Sequence, residues 1–167
     1  AFLDCLEKLG FQLFIDENEK RVKVVGTSGE IPNRKATIDV RSAGTAARFL
    51  TVMLAVTGGE YTLNSSEQMK KRPMGEIIDL IRSAGVKISC LEEEGHFPFI
   101  ISSNGLDKKE VSINTDTSSQ YASALLMAAV MTGLKIKLTG KRVNGAYIKI
   151  TLNMLKQFGI KYVQFEE

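Results

Sequence analysis

Four short stretches place small, hydroxylated or amide side chains, or cations, immediately ahead of apolar runs. They are Ser42-Ala43-Gly44-Thr45, Lys70-Lys71-Arg72-Pro73, Thr117-Ser118-Ser119-Gln120 and Lys141-Arg142-Val143-Asn144-Gly145-Ala146-Tyr147. Each is expected to sit at a helix start. A helix start presents unpaired backbone N–H groups and about half a positive charge, which together receive phosphate or carboxylate.

Each stretch supports two readings. Gly44 lets a ligand approach the backbone closely, with Thr45 or Ser42 as cap; the same residues also make an ordinary N-cap beside a flexible glycine. Pro73 suits a first helical turn. Three cations ahead of that turn oppose the helix dipole by roughly 0.3–1 kcal/mol each. A bound anion would relieve that mismatch, and Arg72 can hold one bidentately; a solvated basic loop is the alternative. Thr117 and Gln120 have the spacing of a capping box, a purely structural device. Ser118 and Ser119 offer hydroxyls to a phosphate, and the Gln120 amide can bridge two ligands. Asn144 is a good cap, and Tyr147 lies 75 residues after Arg72, on the matching edge, unless it is simply an interfacial core tyrosine. Taken together the four starts form a rim of anion receptors, which calls for a substrate with two or more anionic groups.

Other chemistry is excluded or unsupported. No P-loop or dinucleotide fingerprint occurs, and no His/Cys/carboxylate cluster has metal-ligand spacing, so neither cofactor nor metal is expected. Lys plus Arg total 22 against 19 acidic residues, for a net charge of +3, and Trp is absent, so a nucleic-acid partner is not expected. His96 lies in a Gly-His-Phe-Pro turn and is expected at the surface. Glu92-Glu93-Glu94 is expected to be a solvated turn at the opposite end from the helix starts. Cys5 and Cys90, both in apolar stretches, are expected as buried reduced thiols, pointing to the cytoplasm. The longest apolar run, Tyr121 to Leu134, is too short for a membrane span, and no signal-peptide pattern opens the chain. The chain begins with Ala in mid-helix by its pattern, as a piece of something longer would.

The elements that position these residues repeat. Ala1–Gly10, Ile77–Gly85 and Thr151–Gly159 each read as a helix stopped by glycine, followed by strands Phe11–Asp16, Val86–Leu91 and Ile160–Phe165. The glycines are 75 and 74 residues apart. Return strands follow at Arg21–Val25 and Phe97–Ile101. Between these blocks, strand Ala36–Val40, helix Gly44–Val56 and strand Glu60–Asn64 reappear as Val111–Thr115, Ser118–Met131 and Leu134–Thr139. A period of this length marks a structural repeat. Helices 44–56 (beyond Arg48) and 118–131 are apolar nearly all round, so they are expected to be buried on every side. The strands alternate, as Leu134, Ile136 and Leu138 do with Lys135 and Lys137, giving one dry and one wet face. The predicted fold is α/β, made of β-α-β-α-β-β units with helices inside and sheets outside around a pseudo-threefold axis. Residues 1–35 are the end of unit one, 36–105 unit two, and 106–167 unit three without its last strand, so 1–167 is one incomplete domain.

The stretches SAGTAARFLT at 42–51, MKKRPMGEIIDLIRSAGVKI at 69–88, DTSSQYASALLMAA at 116–129 and VNGAYIKITLNMLKQFGI at 143–160 resemble the enolpyruvyl transferase family. The Ser-Ser-Gln and Arg-Pro-x-Gly motifs favour its shikimate-phosphate branch over the relative that acts on UDP-N-acetylglucosamine. A non-catalytic anion-binding module is the alternative from another class. The resemblance implies an inside-out α/β barrel as half of a two-domain enzyme. It implies transfer of the enolpyruvyl group of phosphoenolpyruvate to the 5-hydroxyl of shikimate 3-phosphate, with release of phosphate and no metal. It implies that Gly44 lies against phosphoenolpyruvate with Thr45 supporting the loop, and that Arg72 pairs with a phosphoenolpyruvate anion. It further implies that Ser118 and Ser119 bind the phosphate of shikimate 3-phosphate, that Gln120 touches both ligands, and that Tyr147 serves the shikimate side. Asn144 stands where the family commonly has a phosphate-binding Ser, and Ser42 where it commonly has Asn. The family's Gly-Ser-Lys-Ser segment and its proton-transfer Asp and Glu have no counterpart here. No catalytic residue is therefore assigned within the chain, and it is expected to be inactive alone.

Overall fold

In the computed structural model, residues 1–116, 118–143 and 145–164 are described. The chain forms two compact units, Ala1–Lys108 and Lys109–Glu167.

The N-terminal unit begins with helix α1 (Phe2–Lys8) and the antiparallel hairpin β1 (Leu13–Asp16) and β2 (Arg21–Val24). There follow β3 (Lys35–Asp39), α2 (Gly44–Thr57), β4 (Gly59–Asn64), α3 (Glu67–Lys70), α4 (Gly75–Ser83), β5 (Lys87–Cys90) and β6 (Phe99–Ser103). Four of these strands form one sheet in the order β3-β4-β6-β5, with β3 parallel to β4 and the other pairings antiparallel. The alternation read from the sequence sets its faces. Ile38, Tyr61, Leu63, Ile88, Phe99 and Ile101 are buried on one side, while Lys35, Glu60, Lys87 and Ser89 meet water on the other. Helix α2 packs on β4 and β6, and α4 on β5. As expected, α2 is buried nearly all round, and the burial includes Arg48.

The C-terminal unit repeats the first half of that plan. It contains β7 (Glu110–Asn114), α5 (Ser119–Thr132), β8 (Lys135–Thr139) and α6 (Ala146–Gln157). The 75-residue period holds down to single hydrogen bonds. Lys35 pairs with Glu60 across β3 and β4, and Glu110 with Lys135 across β7 and β8, the same register with the charges exchanged. Val40 donates to Asn64 O at 2.9 Å, and Thr115 to Thr139 O at 2.9 Å. Asp39 accepts from the Arg41 N–H at 2.8 Å, and Asn114 from the Asp116 N–H at 2.9 Å. Gly10, Gly85 and Gly159 all have positive φ, as the helix-stopping role requires.

Some expectations are corrected. The cations of 70–72 do not lead directly into a helix. Ser66 caps the short α3 by accepting from the Met69 N–H, so Lys70 falls in its last turn, where a cation complements the dipole. Helix α4 begins only at Gly75, after Pro73. The Glu92–Glu94 turn is not remote from the helix starts: Glu92 holds Lys70 Nζ at 3.0 Å, and Gly95 O accepts the Met74 N–H at 2.8 Å. The second half of α5 is not enclosed. Met127, Val130 and Met131 are exposed, because an apolar composition sets what a helix can bury, not how many neighbours it has. Cys5 is buried as expected, with burial pushing its thiol pKa up, but Cys90 is only half-buried. Residues 160–164 carry no strand, and Phe165 lies outside the described residues. Among the described residues no helix is long and apolar enough to cross a membrane.

Candidate functional site

In the N-terminal unit, β3 ends at Asp39 and a tight loop leads into α2. Arg41 lies in the left-handed region and bonds Asp4 through Nη2 at 2.7 Å. The Ser42 and Ser66 hydroxyls lie 2.8 Å apart, and the Ser66 N–H donates to Arg41 O at 3.1 Å. Ser42 therefore ties the loop to the next segment and does not cap. The N-cap position is Ala43, and no side chain caps α2. The N-cap residue of this 14-residue helix thus offers its first amides no side-chain acceptor.

Arg72 reaches this uncapped start from the loop before α4. A Cβ placed on Gly44 would lie 2.5 Å from Arg72 Nη1 and 2.9 Å from Arg48 Nη1. Two guanidinium groups from different elements therefore converge over Gly44, which has no side chain. Arg48 also donates to Gly44 O at 3.0 Å. Lys70 is compensated by Glu67 and Glu92, which together raise its pKa. Among the described residues Lys71 and Arg72 make no ion pair, and both are exposed. The sequence reading placed Gly44, Thr45 and Arg72 here, with Thr45 exposed on the first turn. It passed over Arg48 as the polar exception of an apolar helix. The available signal was a lone cation four residues after Gly44, on the same helix face.

In the C-terminal unit, α5 and α6 begin on the same edge. Asp116, just ahead of α5, accepts the N–H groups of Lys141 and Arg142, just ahead of α6, at 2.9 and 3.2 Å. One turn into each helix, Thr151 Oγ1 donates to Ser123 Oγ at 2.8 Å. Ser118 is the N-cap position of α5 and its own side chain makes no cap bond; the expected capping box rests on Thr117, outside the described residues. Ser118, Ser119 and Gln120 are half-buried along this start. Tyr147 is in the first turn of α6 and is 59% exposed, so it is not a core residue. Thr117 and Asn144 lie outside the described residues. Gly145 takes the N-cap position of α6 and offers no side-chain cap bond of its own. Each unit thus brings two segments to one edge with an uncapped helix start. Backbone N–H groups, hydroxyls and guanidinium are the groups whose chemistry suits an oxyanion.

The family described as EPSP synthase (3-phosphoshikimate 1-carboxyvinyltransferase) matches residues 1–165. The chain belongs to the EPSP synthase family. The 3-phosphoshikimate 1-carboxyvinyltransferase of Neisseria meningitidis serogroup B is 40% identical over 166 residues, which is 96% of this chain and 38% of that protein. The protein of the same name from Sulfurovum sp. is 39% identical over 162 residues, covering 95% of this chain and 38% of its own length. The chain therefore spans a little over a third of these EPSP synthase relatives. The solved structure of EPSP synthase from Acinetobacter baumannii superposes with a TM-score of 0.78 at 21% identity, over 98% of this chain and 36% of that one. That likeness establishes an EPSP synthase-like α/β fold, as the repeat predicted.

Proposed function

We propose that this chain supplies substrate-binding machinery for transfer of the enolpyruvyl group of phosphoenolpyruvate to the 5-hydroxyl of shikimate 3-phosphate, with release of phosphate. The observation that carries the reading is the convergence of Arg72 and Arg48 over Gly44 at the uncapped start of α2. Two positive groups over bare backbone suit a phosphate or carboxylate, and family membership makes phosphoenolpyruvate the candidate. In this reading Gly44, Thr45 and Arg72 receive phosphoenolpyruvate. Ser118, Ser119 and Gln120 receive shikimate 3-phosphate, with Asn144 and Tyr147 on the same side.

The chemistry needs more than binding. A ketal intermediate must form and collapse, which requires a positioned acid and base. In this reading neither role falls to a described residue of this chain. The chain works as an incomplete domain, with repeats at 1–35, 36–105 and 106–167, of a two-domain cytoplasmic enzyme whose other lobe closes over the ligands. Alone it binds anions and turns over negligibly. Calorimetry with shikimate 3-phosphate and with phosphoenolpyruvate tests this, alongside a phosphate-release assay. Binding weakened by Ser118→Ala or by Arg72→Ala, without turnover, supports the reading. Sustained phosphate release by the chain alone, or binding unchanged in both variants, refutes it.

A further inference from the structure

Arg48 is 6% exposed, inside a helix whose other buried residues are apolar apart from Thr51. Its Nη1 donates to Gly44 O at 3.0 Å and comes within 2.9 Å of the space a Gly44 Cβ would fill. Arg72 Nη1 approaches the same space to 2.5 Å. The two cations are therefore near neighbours, one fixed by packing and one exposed at the end of a flexible side chain. The loop outside Gly44 is anchored through Asp39, Ser42 and Ser66. On the helix side, Arg48 is the side chain that grips Gly44.

From this geometry we infer that Arg48 is a positioning residue for the anion site: it fixes the Gly44 backbone and, by like-charge repulsion, holds the Arg72 guanidinium turned toward the ligand. The inference rests on the anion-binding reading of Gly44 and Arg72. Arg48 acts on the site through both neighbours. A rigid buried guanidinium suits this task better than a lysine, because its planar fork keeps one donor on the carbonyl while the charge stays in place. Arg48 is buried, so its charge is less screened than a surface charge, and displacing it changes the setting of the exposed guanidinium beside it.

The test uses the 167-residue chain and inorganic phosphate as probe. Phosphate is titrated while NMR follows the Gly44 and Thr45 amides and the Arg72 Nε–H, in the parent, Arg48→Met and Arg48→Lys. Arg48→Met is expected to weaken phosphate about tenfold and to shift the Arg72 Nε–H resonance before phosphate is added. Arg48→Lys, which keeps the charge without the fork, is expected to fall between Met and parent. A purely structural role for Arg48 would lower the thermal midpoint without moving the Arg72 resonance. Parental affinity in Arg48→Met, with the parent binding at Gly44, overturns the inference and leaves the anion site standing. Absence of any phosphate-dependent shift at Gly44, Thr45 and Arg72 in the parent overturns both. If Arg48→Met does not fold, Arg48→Lys decides: parental affinity and an unmoved Arg72 resonance overturn the inference.

Discussion

Gly44→Ala separates stability from ligand binding in the N-terminal unit. The added methyl carbon would sit 2.5 Å from Arg72 Nη1, 3.2 Å from Arg72 Cζ and 2.9 Å from Arg48 Nη1, where ordinary contact begins at 3.4 Å. Arg72 is exposed and can swing aside; Arg48 is packed and yields little. The backbone itself accepts alanine, since Gly44 opens a helix and is not among the glycines with positive φ. Alanine improves helix propensity by up to about 1 kcal/mol, which offsets the crowding of two side chains. Net stability is therefore expected to stay within about 1 kcal/mol of the parent. Affinity is a different matter. Swinging Arg72 away removes a charge-assisted hydrogen bond worth roughly 1.5–3 kcal/mol. That corresponds to phosphate binding weaker by roughly ten- to hundredfold. Phosphate titration by NMR at low ionic strength, with urea unfolding in parallel, reads both quantities. A folded Gly44→Ala variant that binds phosphate within twofold of the parent would refute the idea that Arg72 uses the space over Gly44.

Two further expectations concern the scaffold. Leu50 is fully buried in α2, so Leu50→Ala is expected to cost about 3–5 kcal/mol in urea unfolding, whereas the exposed Met131→Ala should cost under about 1 kcal/mol; equal costs would contradict the burial of α2. The Arg82 guanidinium beside Glu94 holds that carboxyl below its usual range, and Lys35 does the same for Glu60. Because both folded-state values are lowered, each pair adds stability above the ordinary glutamate pKa of about 4.3, and that stability is lost as pH falls through the lowered values. Glu94→Gln should therefore flatten the acid limb of an unfolding-midpoint-against-pH curve, and an unchanged limb would show that the pair adds nothing.

Much of this was legible in the chain. Period-two alternation in Lys35–Asp39, Lys87–Cys90 and Lys135–Thr139 marked the strands and their wet faces, because successive side chains must point to opposite sides. Gly10, Gly85 and Gly159 marked helix ends, because few other residues adopt positive φ without strain. The 75-residue period followed from residue types alone and recurs in paired hydrogen bonds. The hydroxyl and glycine stretches at 42–45 and 118–120 correctly marked helix starts.

What the chain could not reveal was set by partners distant in sequence. Whether Lys70 was a free cation depended on Glu92, 22 residues away, and Ser42 became a tether because Ser66 folded against it. The exposed end of α5 shows the same limit, since apolar composition is local but burial needs neighbours. Above all, Arg48 looked like an interruption in an apolar helix. Only its placement beside Gly44 and Arg72 gives it a task, because electrostatic effects depend on distances that the linear order of residues does not contain.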